Sequence, residues 1–169
     1  MDVEEAIRNR RTHKAYAPEP VERPLLDELL ELARWAPNHH LTNPWRFRVV
    51  GPEALEKLKE AAGPENATKL ERAPTLVVAS VIQEGDTVQD EEDLLAAACA
   101  TYIVLLAAHA RGLVGYWRTP GVLRTPEGRA AVGLSENERF VALIHLGHPR
   151  QEQEPPERAP TGEYVTYLP

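Results

Sequence analysis

Sulfur is nearly absent from this chain. It has one cysteine, Cys99, and one methionine among 169 residues. A single thiol excludes any intrachain disulfide and points to a reducing compartment. Phenylalanine occurs twice and aromatics make up 6% of the residues, so the core must be aliphatic. No stripe of basic residues offsets an excess of acid over base, Asp plus Glu 26 against Lys plus Arg 19. A chain with net charge −7 is repelled by nucleic-acid phosphates and anionic lipid, which argues against both as partners. There is no G-x-G-x-x-G after a strand, so no separate Rossmann-type nicotinamide domain is expected. The most apolar stretch, Leu94 to Ala108, is broken by Thr101 and Tyr102 and falls short of the ~20 residues that span a bilayer, which favours a buried helix. The opening Met1-Asp2-Val3-Glu4-Glu5 is acidic and lacks the cationic start and apolar run of a secretory leader, so a cytoplasmic location is expected.

Proline is abundant, with 15 residues, and arginine is favoured over lysine. Both fit a heat-adapted source, and a GC-rich genome gives the same arginine bias. Pattern then sets the elements. Val3, Ala6 and Ile7 recur at helical spacing behind Asp2, an N-cap candidate, in a helix ending near Arg10. Pro24 opens a second helix whose apolar face runs from Leu25 to Ala33 and which Pro37 stops. Trp45, Phe47 and Val49 alternate with arginines as a half-buried strand, and a helix from Pro52 closes at Gly63-Pro64. Thr75 to Ile82 is almost continuously apolar and rich in β-branched residues, the signature of a central strand covered on both faces.

Asp90 to Asp93 reads as the solvated first turn of a long helix to Arg111, with Gly112 as its C′ residue. Leu113 to Trp117 and Phe140 to Leu146 are strands, and Thr125 caps a short helix stopped at Gly133. The polar tail from Pro149 to Pro160 ends in strand-like Val165-Thr166-Tyr167-Leu168, which we expect to pair with a partner subunit. Four or five strands covered by helices make an α+β or α/β layer protein, with residues 1–169 as one domain.

Two segments concentrate positive charge within this acidic chain: Arg10-Arg11-Thr12-His13-Lys14-Ala15-Tyr16 and Gly115-Tyr116-Trp117-Arg118-Thr119-Pro120. The first supplies planar guanidinium forks, a mobile ammonium and a hydroxyl beside a helix end. That set suits a phosphate, or else it merely offsets the helix dipole. Between helix and strand, Ala36 to Trp45 is dense in polar side chains. It either hydrogen-bonds the edge of a heteroaromatic ligand or is an ordered loop with Asn caps. His39 and His40, adjacent in an extended segment, point oppositely and make no metal pair, so no metal site is expected. Cys99 among alanines reads as a core filler, which argues against a cysteine hydrolase, and Tyr102 and His109 as packing or capping residues.

Taken in order, Arg10 to Tyr16, Ala36-Pro37-Asn38, Asn43-Pro44-Trp45-Arg46-Phe47 and Gly112 to Thr119 resemble the FMN-dependent nitroreductase family, closest in spacing to its short YdjA-like members. The resemblance implies an α+β fold with a mixed β-sheet and a homodimer in which the arm, residues 149–169, packs on the partner. FMN would sit at the subunit interface. It places Arg10, Arg11 and Thr12 at the flavin phosphate or ribityl chain and Lys14 at the pyrimidine edge of the ring. His39 and Asn43 would reach the flavin from the second subunit, and Trp117, Arg118 and Thr119 would close over it from the first. No contact is assigned to Trp35, where the YdjA type has a basic residue; Arg158 stands near the place where longer relatives set one against the phosphate. The implied activity is transfer of hydride from NAD(P)H, as co-substrate, through FMN to a nitro compound, quinone or similar small acceptor by a ping-pong route. No side chain is assigned as catalytic acid or base. The alternative on the same fold is a flavin-binding carrier or redox sensor without turnover.

Overall fold

A computed structural model describes residues 1–154 and 156–169; Pro155, within the expected polar tail, lies outside the described residues. Asp2 caps α1 (Val3–Asn9), its carboxylate accepting the Glu5 N–H at 2.8 Å. The helix ends because Arg10 turns to extended backbone (φ −62°, ψ 129°). α2 (Arg23–Ala33) has proline in its first turn, where the missing N–H leaves no bond unmade. β1 (Trp45–Val49) follows, then α3 (Pro52–Ala62). Gly63, at φ 73°, ends α3, and Pro64 begins a further helix, α4 (Pro64–Leu70). The Gly-Pro pair stops one helix and starts the next, and the expectation recognised only the stop.

β2 (Thr75–Ile82) leads into α5 (Thr87–Ala110). This helix starts a turn before Asp90 because Asp86 is its cap, accepting from the Val88 and Gln89 N–H groups at 3.0 Å each. Asp93 therefore falls in the second turn and is buried, not solvated. At 24 residues α5 is long and apolar enough to cross a membrane by length and composition. It lies instead on the sheet, burying Ala97, Ala100, Val104 and Ala108. Gly112 ends it at φ 77°. β3 (Val114–Arg118), α6 (Pro126–Ala131) and β4 (Glu138–Gly147) complete the elements.

The sheet order is β1-β2-β4-β3, every neighbouring pair antiparallel. The parallel pairing in the described residues is a single bridge, Thr12 to Gly115. The expected mixed sheet thus reduces to an antiparallel sheet with one parallel contact from the N-terminal segment. β2 and β4 are central and almost wholly buried, as the unbroken apolar run required. One core joins the sheet to α2 and α5; the other, built on Tyr16, Leu58, Leu70, Leu123 and Leu143, lies on the opposite face beneath α3, α4 and α6.

A further expectation fails. Cys99 is exposed, because α5 turns Ala96, Ala97 and Ala100 to the core and Cys99 to the other side. Val165 to Leu168, expected to pair with a partner subunit, form no strand within the chain and stand exposed after a short turn at Thr161–Glu163, Tyr167 at 92%.

Candidate functional site

Immediately after α1 the chain runs extended against the start of β3, where the His13 N–H donates to the Gly115 carbonyl at 3.2 Å. Glycine is required at 115: a Cβ there would sit 2.6 Å from a Leu105 methyl of α5. Arg10 and Arg11 are thereby held beside α5, the Arg10 guanidinium 5.5 Å from the centre of the Tyr102 ring. The Nε atoms of both arginines are buried and donate to no acceptor among the described residues. Arg11 spends Nη1 on the Asn9 carbonyl at 2.7 Å. A buried guanidinium N–H without an acceptor is costly, and an anion has the chemistry to supply one.

Two histidines stand in the same charge field. His13 and His109 leave Nδ1 and Nε2 respectively buried and unpartnered. Burial lowers the pKa of both; next, the Arg11 charge lowers each, with His109 acting further on His13 and Arg10 on His109, while Glu5 partly opposes at His109. His109 is therefore part of the cation corner rather than a helix cap.

Alternation along β3 divides the second motif between two faces. Val114 belongs to the Tyr16 core, so Tyr116 and Arg118 point to that side, whereas Trp117 packs into the α5 core. Tyr116 lies between two cations, Lys14 Nζ at 6.0 Å and the Arg118 guanidinium at 5.8 Å from its ring centre. His145 of β4 is cross-strand from Tyr116, with ring centres 6.0 Å apart. Its imidazole is 0% exposed, both nitrogens lack partners, and burial pushes its pKa down to about 3, helped by Arg118 and Arg72. Tyr16 closes this side, its hydroxyl donating to the His13 carbonyl at 2.7 Å; burial raises the phenol pKa. Arg118 also donates Nη1 to the Lys69 carbonyl at 2.8 Å. Beside it opens a cavity of about 410 Å³ lined by Asn66, Lys69, Arg118 and Thr125 on the polar side and Ala62 and Val122 on the apolar. Thr119, just past β3, is exposed.

The structure gathers two cation groups, Arg10 and Arg11 beside α5 with Thr12 next in the chain, and Lys14 and Arg118 about Tyr116 with Thr119 adjoining, and turns Trp117 to the α5 face. It does not bring His39 or Asn43 to them. Their loop precedes Trp45, which pairs with Val81; Gly115 pairs with Leu146, which pairs with Thr75. Thr75 and Val81 are opposite ends of β2, about 20 Å apart at 3.4 Å per residue. His39 and His40 do not diverge as an extended segment requires: the loop turns at His40 (φ 53°) and the rings stack at 4.1 Å. Among the described residues no group of His, Cys, Asp or Glu is arranged to hold a metal. Asn66 and Lys69 escaped the sequence reading because α4 did; His145 sits in an apolar strand whose pattern gives no signal.

Comparison with known proteins assigns the chain to a family. The family model described as "Nitroreductase family" matches residues 7–148. The chain belongs to the nitroreductase family. A Bacillus subtilis relative named "Putative NAD(P)H nitroreductase YfhC" is 30% identical, the alignment covering 98% of this chain and 94% of that protein. The nitroreductase-like family protein of Bacillus cereus superposes with TM-score 0.89 at 27% identity, over 99% of this chain and 96% of that one. A Desulfovibrio desulfuricans protein solved in complex with FMN superposes with TM-score 0.84 at 28% identity, over 100% and 98%. The nitroreductase fold therefore extends over nearly the whole chain.

Proposed function

We propose that this chain is an FMN-dependent NAD(P)H oxidoreductase of nitroreductase type, acting on nitro compounds, quinones or similar small acceptors. The observation that carries the reading is the pair of buried, acceptorless Nε–H donors on Arg10 and Arg11, in a family with an FMN-bound relative across this whole chain. A phosphate monoester supplies the missing acceptors, and the Thr12 hydroxyl and backbone stand beside them. Bound FMN supplies the hydride chemistry, taking reducing equivalents from NAD(P)H and passing them to the acceptor. Lys14 and Arg118, flanking Tyr116, place positive charge at the pyrimidine edge of the ring, and Lys69 adds to it from α4. Trp117 acts from behind, its ring filling the α5 core so that the β3 backbone is held where Arg118 and Thr119 meet the ligand.

The working form in this reading is a homodimer with FMN at the interface, and α5 supports it. Val88, Leu95, Cys99 and Tyr102 form an exposed, mainly apolar stripe on that helix. Two copies packed antiparallel about a two-fold axis near Leu95–Cys99 set residue 92 of one against residue 102 of the other. Glu92 carries His39 at 2.7 Å and Tyr102 carries Arg10. Pairing of this kind brings His39 and Asn43 of one subunit to the cation corner of its partner, which the 20 Å separation within one chain prevents. The outer edge of β1 is unpaired among the described residues, and the exposed Tyr164 to Leu168 segment suits pairing of the arm, residues 149–169, with that edge of the partner. A cytoplasmic location agrees with the lone cysteine and the acidic surface.

The test is anaerobic mixing of the FMN-loaded protein with NADH or NADPH. Rapid loss of the yellow absorbance is expected, followed by recovery on adding a quinone. A yellow protein that neither nucleotide bleaches would be a flavin carrier; a colourless protein that binds no FMN would end the reading altogether.

A further inference from the structure

The non-glycine residues with left-handed backbone, among those described, are His40, Leu41 and Asn43, at φ 53°, 53° and 47°. All three lie in the five residues between Asn38 and Pro44. Backbone of this kind persists only where surrounding contacts over-determine it, and it concentrates where a side chain must be aimed. Within the loop, the Asn43 N–H donates to Asn38 Oδ1 at 3.0 Å and the Thr42 N–H to the His39 carbonyl at 3.3 Å. These bonds shape the turn without fixing it to the body of the protein. That is done by α5: Glu92 meets His39 Nδ1 at 2.7 Å, and Asp93 accepts from the Thr42 hydroxyl at 2.6 Å.

Asp93 is the unusual partner. It is 5% exposed, on a helix face otherwise made of alanine, threonine and aliphatic residues, and no cation pairs with it among the described residues. Its remaining bond comes from Gln89 Nε2, one turn earlier, at 3.1 Å. Burying a carboxylate with only neutral donors is unfavourable for folding, whereas a short charge-assisted bond to one hydroxyl fixes that hydroxyl in direction and distance. Thr42 sits between Leu41 and Asn43, so fixing its side chain fixes the strained backbone on both sides.

We propose that Asp93, acting through the Thr42 hydroxyl, is a positioning residue of the flavin site, clamping loop 38–43 so that His39 and Asn43 are presented to the FMN of the partner subunit. This rests on the dimeric flavin reading above. Asp93 itself touches no ligand; its effect passes through the loop.

The experiment compares the full-length wild-type protein with Thr42→Val, Thr42→Ser and the double variant Asp93→Leu/Thr42→Val. FMN dissociation constants come from quenching of flavin fluorescence, and the visible circular dichroism of the bound flavin reports its surroundings. Thr42→Val keeps the shape and loses the donor, so FMN binding should weaken about tenfold, the loss of one charge-assisted bond's positioning, with an altered dichroism band. Thr42→Ser keeps the donor and should restore both. The double variant removes the carboxylate along with its partner, which avoids leaving a buried charge unsatisfied, so it stays folded even where the single variant does not. It should bind FMN as weakly as Thr42→Val. If either folded donor-less variant binds FMN within about twofold of wild type, or serine fails to rescue, the clamp is refuted while the flavin reading stands. A wild-type chain that binds no FMN overturns both.

Discussion

His145 offers a sharp test of how the cation corner is held. Its folded pKa is about 3, against an ordinary value of 6.5, first from burial and then from the Arg118 and Arg72 charges. A histidine depressed in the folded state binds its proton more readily when unfolded. Its neutral form therefore favours folding fully above pH 6.5, and that contribution is lost as pH falls from 6.5 towards 3. Within this window the slope approaches 1.4 kcal/mol per pH unit, so between pH 7 and pH 5 the wild-type protein should lose about 2 kcal/mol to this residue alone. His13 and His109 are shifted in the same direction and add to the loss. Replacing His145 with leucine removes a side chain that makes no hydrogen bond and keeps an apolar group of similar volume in the Tyr16 core. Urea unfolding at both pH values gives the difference directly. The variant should show a pH 7-to-5 loss smaller than wild type by about 2 kcal/mol, and should be the more stable of the two at pH 5. An unchanged loss in His145→Leu would mean that this imidazole is solvated or hydrogen-bonded in the native protein, and the argument from burial beneath Tyr116 would fail.

Arg10→Ala should weaken FMN binding about ten- to a hundredfold, the worth of a charge-assisted contact at 1.5–3 kcal/mol, as read by fluorescence quenching; unchanged affinity would place the phosphate elsewhere. Glu138→Gln tests the polar knot at the other end of the sheet. Burial opposes the Glu138 charge, but Arg48 (2.6 and 2.7 Å), Ser135 and Ser80 outweigh it and bring the carboxyl down to about 2. The variant should lose about 3 kcal/mol at neutral pH. That deficit should shrink as pH falls below 4.5 towards 2, where the wild-type carboxylate takes up its proton; a deficit independent of acid in chemical denaturation would contradict the ion pair. Truncation after Pro160 should yield monomers in sedimentation, and an intact dimer would show that the arm is not part of the contact.

Much of this fold was legible because its signals are local and redundant. Thr75 to Ile82 is rich in β-branched residues and bounded by Pro74 and Gly85, and it forms β2 without a residue's error. Asp2, Pro24 and Gly112 mark helix ends by their own chemistry, and each does so here. What was misread depends on context. Gly63-Pro64 carries two instructions in two residues, and α4 has too little apolar periodicity to advertise the second. Cys99 is surrounded by alanine in sequence, but a helix with small residues on every side gives no indication of which side faces the sheet. Val165 to Leu168 has a strand's composition and no strand beside it within its own chain, so pattern alone cannot tell which sheet it joins.

The site was legible in part for a different reason. A motif read along a strand is two motifs once the strand forms, because neighbouring side chains leave on opposite faces. Trp117 and Arg118 are adjacent in the chain, yet one fills the α5 core and the other faces Tyr116 and the cavity beside Lys69. Residues far apart in sequence do the opposite. Lys14, Lys69, Arg118 and His145 converge because an extended N-terminal segment, a short helix and two strands meet on one side of the sheet. After burial, arginine charge lowers three histidines of this region: Arg11 acts on His13 and His109, Arg10 also on His109, and Arg118 and Arg72 on His145. Two buried guanidinium N–H groups without acceptors, beside histidines lowered by burial and by arginine, suit negative charge. The loop carrying His39 and Asn43 lies at the far end of the same sheet, and in the dimeric reading proposed above it is a second copy of the chain that supplies it.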